Sequence, residues 1–202
     1  MPKIRSLVAG TAAVAAVVAV TAAAPSAGAG VPAQTGDAVA ATEVLRAIGL
    51  TQNGRLVRFN TNNPSRSESI GFVSGLNAGT RLIGIDYRVQ DNKLYGVGDD
   101  GAVYTIRVRS ATATQVSQLT VPLDGTQFGV DFNPAADRLR IVSNTGQNLR
   151  HDVNLDVTTV DVTLSYPPDI PVAVGVTAVA YTNTNCFWKR CSNMDRRHHQ
   201  YF

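Results

Sequence analysis

The chain has 202 residues, 44% of them apolar and 16% charged, with a formal net charge of +3. The basic excess sits at the two ends, at Lys3 and Arg5 and again at Lys189, Arg190, Arg196 and Arg197, while residues 30–185 carry 12 basic against 14 acidic side chains. A slightly acidic body, with no run of Lys and Arg interleaved with aromatics, excludes a surface built to track nucleic-acid phosphates.

In chain order, Lys3 and Arg5 precede an Ala/Val run from Leu7 to Ala24, a break at Pro25 and the small residues Ala27-Gly28-Ala29. That sequence predicts a secretory signal peptide cleaved after Ala29. The competing membrane-anchor reading is set aside because the run is rich in Ala and ends on an Ala-x-Ala site. No Cys stands there to be lipidated and no twin-Arg pair precedes it, so the expectation is general export and a secreted product without a stable membrane anchor. Val31 to Thr42 is Ala/Gly/Thr-rich and reads as a flexible lead-in, with a short helix over Ala38–Ala47 as the alternative.

Two stretches then repeat. GIDYRVQDNKLYGVGDDGAVYT from Gly84 and GVDFNPAADRLRIVSNTGQNLR from Gly129 superpose without a gap, with Asp86 on Asp131, Leu94 on Leu139 and Gly101 on Gly146. An offset of 45 residues falls in the range of propeller blades. Asn53-Gly54, Asp100-Gly101 and the weaker Thr145-Gly146 mark hairpins read as two-residue type I′ turns. Short alternating strands flank them: AIGLT and RLVRFN, LYGVG and AVYTIRV, LRIVS and QNLRHDV. Further β-rich segments follow at Glu68–Val73, Thr114–Leu119 and Thr159–Leu164, and LIGIDYR and QFGVDFN lead into the second and third repeats. The pattern predicts an all-β, β-propeller-like fold of about three four-stranded blades. A sandwich or a solenoid fits the strand lengths, but the period and hairpin order favour the propeller.

The first repeat lacks a leading strand, and a fourth begins at Val174–Asn183, where Val179-Ala180-Tyr181 falls on Ile85-Asp86-Tyr87. The expected ring is therefore incomplete, with open edges that invite self-association. Residues 185–202 hold the only Trp, both Cys and two of the three His, a composition foreign to the repeats. The division expected is a signal peptide over 1–29, a lead-in over 30–45, a repeat domain over 46–184 and a divergent basic tail over 185–202.

LIGIDYR, KLYGVGDDGAVYTI, FGVDFNPAADRLRIVSNTGQNLR and AVAYTN make the region from about Ala47 to Asn183 similar to the secreted bacterial domain of unknown function 4394 family. The long third stretch is the specific part of the match. The resemblance implies a propeller-like fold and assigns no catalytic residue. It also implies further blade sequence after the AYTN-like strand, where this chain departs, so a truncated or frameshifted end is one expectation.

Asp86 and Asp131 fall on strands nearest a propeller's central channel. They could hold a cation such as Ca²⁺ through oxygen ligands or act as general acid and base. The structural alternative, favoured by their recurrence, is that each accepts backbone N–H groups in the turn after its own strand. Asn133-Pro134 with Asp137-Arg138 reads first as a turn and second as part of a ligand site.

In the type I′ register Arg140 faces His151 where the second repeat has Tyr95 and Ile106, with Asp131 or Asp137 as the neutralising carboxylate. Alternation then places Val142 and Leu149 on that side, and Asn148 with Arg150 on the other. Cys186-x4-Cys191 with His198 and His199 has no usual zinc spacing, and no metal site is expected.

The leading function is a binding module, at the cell envelope or outside the cell, that recognises a protein, glycan or cell-envelope component through channel-mouth loops. The alternatives are a hydrolase or lyase using the channel carboxylates with His151, and a truncated product without a function of its own. An enzyme requires His151, Arg140 and Asp86 or Asp131 to share one pocket.

Overall fold

The computed structural model describes residues 19–20, 44–166 and 172–181. It is all-β there, with twelve strands in three antiparallel sheets of four. The second sheet is β5 (Leu82–Arg88), β6 (Lys93–Gly98), β7 (Ala102–Arg107) and β8 (Thr112–Gln118), in that spatial order. The third repeats it with β9 (Phe128–Asn133), β10 (Arg138–Ser143), β11 (Asn148–Asp152) and β12 (Val157–Val160). In the first, β2 (Arg46–Leu50), β3 (Arg55–Asn60) and β4 (Asn63–Phe72) follow β1 (Ala19–Val20). These up-and-down sheets are propeller-like blades with β5 and β9 as inner strands. The alternative of a helix over Ala38–Ala47 is overturned at its C-terminal end, because β2 begins at Arg46.

The backbone confirms the period independently of sequence. Among the described residues, the four non-glycine residues with positive φ are Asn92 (53°) and Asp137 (52°), Ala111 (51°) and Asp156 (55°), two pairs at the same places in consecutive blades. Each blade also has one hairpin glycine in the left-handed region: Gly54, Gly101 and Gly146, at 78°, 78° and 92°.

Those glycines correct the turn type. A type I′ turn needs positive φ at both central residues, but Asn53, Asp100 and Thr145 do not have it. Instead Gly54, Gly101 and Gly146 donate their N–H to Thr51, Gly98 and Ser143, closing three-residue loops of the kind in which a left-handed glycine forms a G1 bulge. One extra loop residue moves the register by one, and in a strand that exchanges partners and faces. Arg140 is therefore opposite Arg150, and His151 opposite Leu139. In the second blade Tyr95 is opposite Thr105, and Leu94 opposite Ile106.

The core lies between blades. Leu50 and Leu56 pack against Ile85, Leu94, Tyr104 and Ile106 at the first junction. At the second, Tyr95, Val97 and Val103 meet Val130, Phe132, Leu139, Ile141 and Leu149. A smaller cluster of Val142, Leu164 and Ala173, with Val176 and Val179 beside it, covers part of the far side of the third blade.

Inner strands approach closely through Gly84, where an added Cβ would stand 2.6 Å from a Val130 methyl. Gly129 repeats the contact against the backbone of Ala178 and Val179 at 2.7 Å. Gly84→Ala should therefore destabilise the protein by about 1–3 kcal/mol through overpacking. The check is the urea midpoint, with Gly49→Ala as comparison; its Cβ would meet Val57 at 3.2 Å, so the smaller loss is expected there.

Candidate functional site

Asp86 and Asp131 bind the next blade rather than the turn after their own strands. Asp86 Oδ2 accepts the N–H of Phe132 at 2.8 Å, and Asp131 Oδ2 accepts the N–H of Tyr181 at 2.7 Å. Phe132 and Tyr181 each follow the residue equivalent to the aspartate, so one bond is made twice at successive junctions. Both carboxyls are buried and hydrogen-bond each other. Burial raises both pKa values, and the charge of Asp86 raises Asp131 further, so the pair holds a proton between them. A Ca²⁺ site needs six to eight oxygen ligands, and among the described residues no group of three or more His, Cys, Asp or Glu could hold a metal ion. Cys186, Cys191, His198 and His199 lie outside the described residues.

Asp137 is half of a clamp between blades. Its carboxylate receives Arg88 Nε at 2.7 Å and Nη2 at 2.5 Å, while Arg88 Nη1 reaches Asn154 Oδ1 at 3.2 Å. Asn133 closes the β9–β10 turn, its Oδ1 accepting the N–H groups of Ala135 and Ala136, both at 3.0 Å.

Arg140 and His151 are on opposite faces of the third blade, which overturns the expected pair. Arg140 shares its face with Val142, Asn148 and Arg150, whereas His151 lies with Leu139, Ile141 and Leu149. The carboxylate beside Arg140 is Asp161, not Asp131 or Asp137: Nη1 reaches Asp161 Oδ2 and Asn148 Oδ1 at 2.6 Å each, and Nε reaches the Tyr181 hydroxyl at 3.1 Å. Arg150 holds the other Asp161 oxygen at 3.2 Å, and Arg138 pairs with Asp152 at 2.9 Å. The outer part of this face opens into a cavity of about 420 Å³ lined by Ala136, Arg138, Arg150, Asp152, Leu155, Val157 and Thr159.

His151 belongs to a second cluster, between the second and third blades. Its Nε2 is 2.7 Å from Ser117 Oγ, Ser117 also bonds Asp156, and Nδ1 is 3.0 Å from Thr158 Oγ1. Burial lowers the His151 pKa and favours the neutral ring. Proton counting fixes its roles: Ser117 has one hydroxyl proton and donates it to Asp156, so towards His151 it can only accept, and Nε2–H donates to serine. A serine nucleophile requires the reverse, an imidazole that takes the serine proton and is itself held by the carboxylate. This trio is a staple between blades. His151, Arg140 and the aspartate pair do not converge on one pocket.

A family model described as Domain of unknown function (DUF4394) matches residues 55–187. The chain belongs to that family. No curated protein matches it. Among solved structures, a structural genomics protein of unknown function from Bacteroides thetaiotaomicron VPI-5482 is similar at 14% identity and a TM-score of 0.44, over 67% of this chain and 39% of the other. Apo AztD from Citrobacter koseri is similar at 14% identity and a TM-score of 0.37, over 58% and 31%. The chain thus spans well under half of either structure.

Sequence reading of this DUF4394 member missed Arg88, Ser117, Arg138, Asp152, Asp156 and Asp161 as partners. One signal was present for Asp156, an aspartate aligned with Ala111 in a loop where the left-handed conformation favours Asp or Asn. Arg88 and Ser117 are fixed by contacts across blades, and Arg138, Asp152 and Asp161 by ion pairs between neighbouring segments of the third blade, and none of them has a local signature.

The aspartate pair predicts a pH dependence. Folding raises Asp86 to about 6 and Asp131 to about 8, so the folded state binds protons more tightly than the unfolded chain. Their contribution is full at acid pH and is lost as pH rises through about 8. His151 has the opposite sign, since its contribution is lost as pH falls below 6.5, so the window from 6.5 to about 8 isolates the aspartates. Melting temperature should fall across that window, and Asp131→Asn, which keeps an acceptor for Tyr181, should flatten the profile. An equal slope in the variant would contradict the shared proton.

Proposed function

We propose that the protein is exported and acts as a binding module, with the arginine-bearing outer part of the third blade's face as the binding surface. The positive leader residues, the apolar run and the Ala-x-Ala site support export.

One comparison carries the binding reading. The second blade presents Tyr95, Val103 and Thr105 towards the third, and the third presents Arg140, Asn148 and Arg150 at the equivalent positions. The first set packs against a neighbouring blade; the second would meet polar groups. Arg138 and Arg150 have side chains 36% and 44% exposed, and Leu155 and Val157 stand exposed beside them. Three guanidinium groups face the two carboxylates of Asp152 and Asp161, so the face favours an acidic ligand with an apolar part. Guanidinium forks suit carboxylates in particular. An acidic peptide segment and an acidic glycan share that chemistry. The catalytic alternative has less support, because no acid–base pair converges on this cavity among the described residues.

Calorimetric titration at low salt with a polyglutamate peptide and with an oligogalacturonate tests the reading and separates the two sources. Binding of one of them should weaken at least about tenfold in Arg138→Ala/Arg150→Ala, with the fold retained by circular dichroism. Binding of neither probe, or binding that the double variant leaves unchanged, would count against this face.

A further inference from the structure

The connections that follow the second and third blades begin alike and then part. Leu119 and Leu164 are equivalent, and each donates its N–H to the carbonyl of its blade's hairpin glycine, Gly101 or Gly146. After Leu119 the chain crosses to the third blade, where Gln147 Nε2 donates to the Pro122 carbonyl at 2.9 Å and the Thr145 hydroxyl donates to the Asp124 carbonyl at 3.0 Å. The connection after Leu164 instead turns back on its own blade. Ala173 donates its N–H to the Leu164 carbonyl at 2.7 Å, Val172 forms an antiparallel bridge with Ser165, and Gly175 donates to the Asn144 carbonyl at 2.8 Å. Val172 lies beside Gly146, where an added Cβ would stand 2.5 Å from its methyl, and Ala173 is buried with Val142 and Leu164. The third blade thus shows an extended segment seated on its hairpin end.

At the same place on the second blade is a cavity of about 390 Å³, at the end of the strands opposite the arginine-lined one. Gly101, Leu119 and Thr120 line it, and they are the equivalents of Gly146, Leu164 and Ser165. Val121, half-buried against the core, adds apolar surface. The two hairpins differ in charge: where the third blade has Asn144 and Thr145 beside the uncharged Val172–Gly175, the second has Asp99 and Asp100. Asp100 is tied locally, with Oδ2 accepting from Asn77 Nδ2 at 2.9 Å and the Thr80 hydroxyl at 2.8 Å, and Oδ1 accepting the Ala102 N–H at 3.0 Å. Asp99 Oδ1 accepts the Arg81 N–H at 3.0 Å, while Oδ2 faces Arg81 Nε at 3.6 Å, beyond hydrogen-bond length, on a side chain 84% exposed. Asp99 is therefore the carboxylate that an incoming cation can engage.

We propose that this cavity binds an extended peptide segment of another protein, one that carries a lysine or arginine beside small apolar residues. The chain's own Val172–Gly175 is the template for the bound state. A peptide N–H bonds the Leu119 carbonyl as Ala173 bonds that of Leu164, and the basic side chain meets Asp99. An apolar side chain takes the place beside Gly101 now held by the Gln118 amide, which is the end of a long exposed side chain. In strand addition of this kind the main-chain bonds supply affinity and the side-chain contacts supply specificity. The inference does not rest on the acidic-ligand reading, which concerns the other end of the strands and the opposite charge.

The test uses the full chain and a labelled peptide, acetyl-Lys-Val-Ala-Val-Gly-Lys-amide, which sets the Val172–Gly175 sequence between lysines. Fluorescence anisotropy at low salt should show saturable binding. Asp99→Asn should weaken it at least about fivefold through loss of the charge-assisted contact. That variant installs the third blade's residue and keeps an acceptor for the Arg81 N–H, as Asn144 Oδ1 accepts the Thr126 N–H at 2.9 Å, so its melting temperature should hold. Replacing the peptide's alanine with proline removes the N–H that Leu119 would accept and should weaken binding at least about tenfold with the protein untouched. Glutamates in place of both lysines should abolish it. No saturable binding, equal affinity for the Asp99→Asn protein, or a proline peptide that binds as well as its parent would each overturn the proposal.

Discussion

The bond from an inner-strand aspartate to the backbone N–H of the next inner strand sets the arrangement of the blades. It is made by Asp86 to Phe132 and by Asp131 to Tyr181, each time by a buried carboxyl group. A buried carboxylate is costly unless it is neutralised or well bonded. Here each accepts an N–H, and the two share a proton. The bond also fixes how far one inner strand slides along the next, because the donor always comes one residue after the aspartate's own equivalent. That spacing brings Val130 onto Gly84 and Val179 onto Gly129, where any side chain would collide. Aspartate and glycine, two residues apart on one strand, are therefore a single device.

Differences between repeats are matched across junctions. Phe132 offers Tyr95 a ring edge, whereas Tyr181 offers Arg140 a hydroxyl acceptor, so the change from tyrosine to arginine on one blade accompanies the change from phenylalanine to tyrosine on the next. Arg140 has to be neutralised as well, and Asp161 stands where the second blade has Val116. Likewise Arg88 reaches across to Asp137, while its own equivalent, Asn133, turns inward to close a local turn. The polar pair that looks anomalous within one repeat is ordinary once the junction is taken as the unit.

How much of this could be read from sequence depended on whether the cause was local. The period, the strands and the inner position of Asp86 and Asp131 follow from spacing and alternation, which local physics controls. The hairpin register did not follow, because Asp-Gly and Asn-Gly suit both a type I′ turn and a three-residue loop with one left-handed glycine. Choosing wrongly moved His151 from the face that packs on the second blade to the face that carries Arg140. Partners such as Asp161 for Arg140, just past the end of β12, or Ser117 for His151, on β8, are 21 and 34 residues away. Nothing in a local window names them. The repeat itself does offer one route, since a residue one past the next equivalent position is a cross-blade neighbour by construction.

The third junction differs from the first two in what holds it. Apolar clusters dominate the first and second, and there the hydrophobic effect fixes proximity while demanding little of geometry. At the third, a guanidinium with only 11% of its side chain exposed must meet Asp161, Asn148 and Tyr181 together. Removing one partner of such a buried set leaves a charge uncompensated, whereas forming the set adds little net stability once desolvation is counted. A junction of that kind discriminates more than it stabilises. It accepts a strand that places a tyrosine hydroxyl at the right depth and penalises one that does not, so the third blade is selective about its next neighbour in the ring.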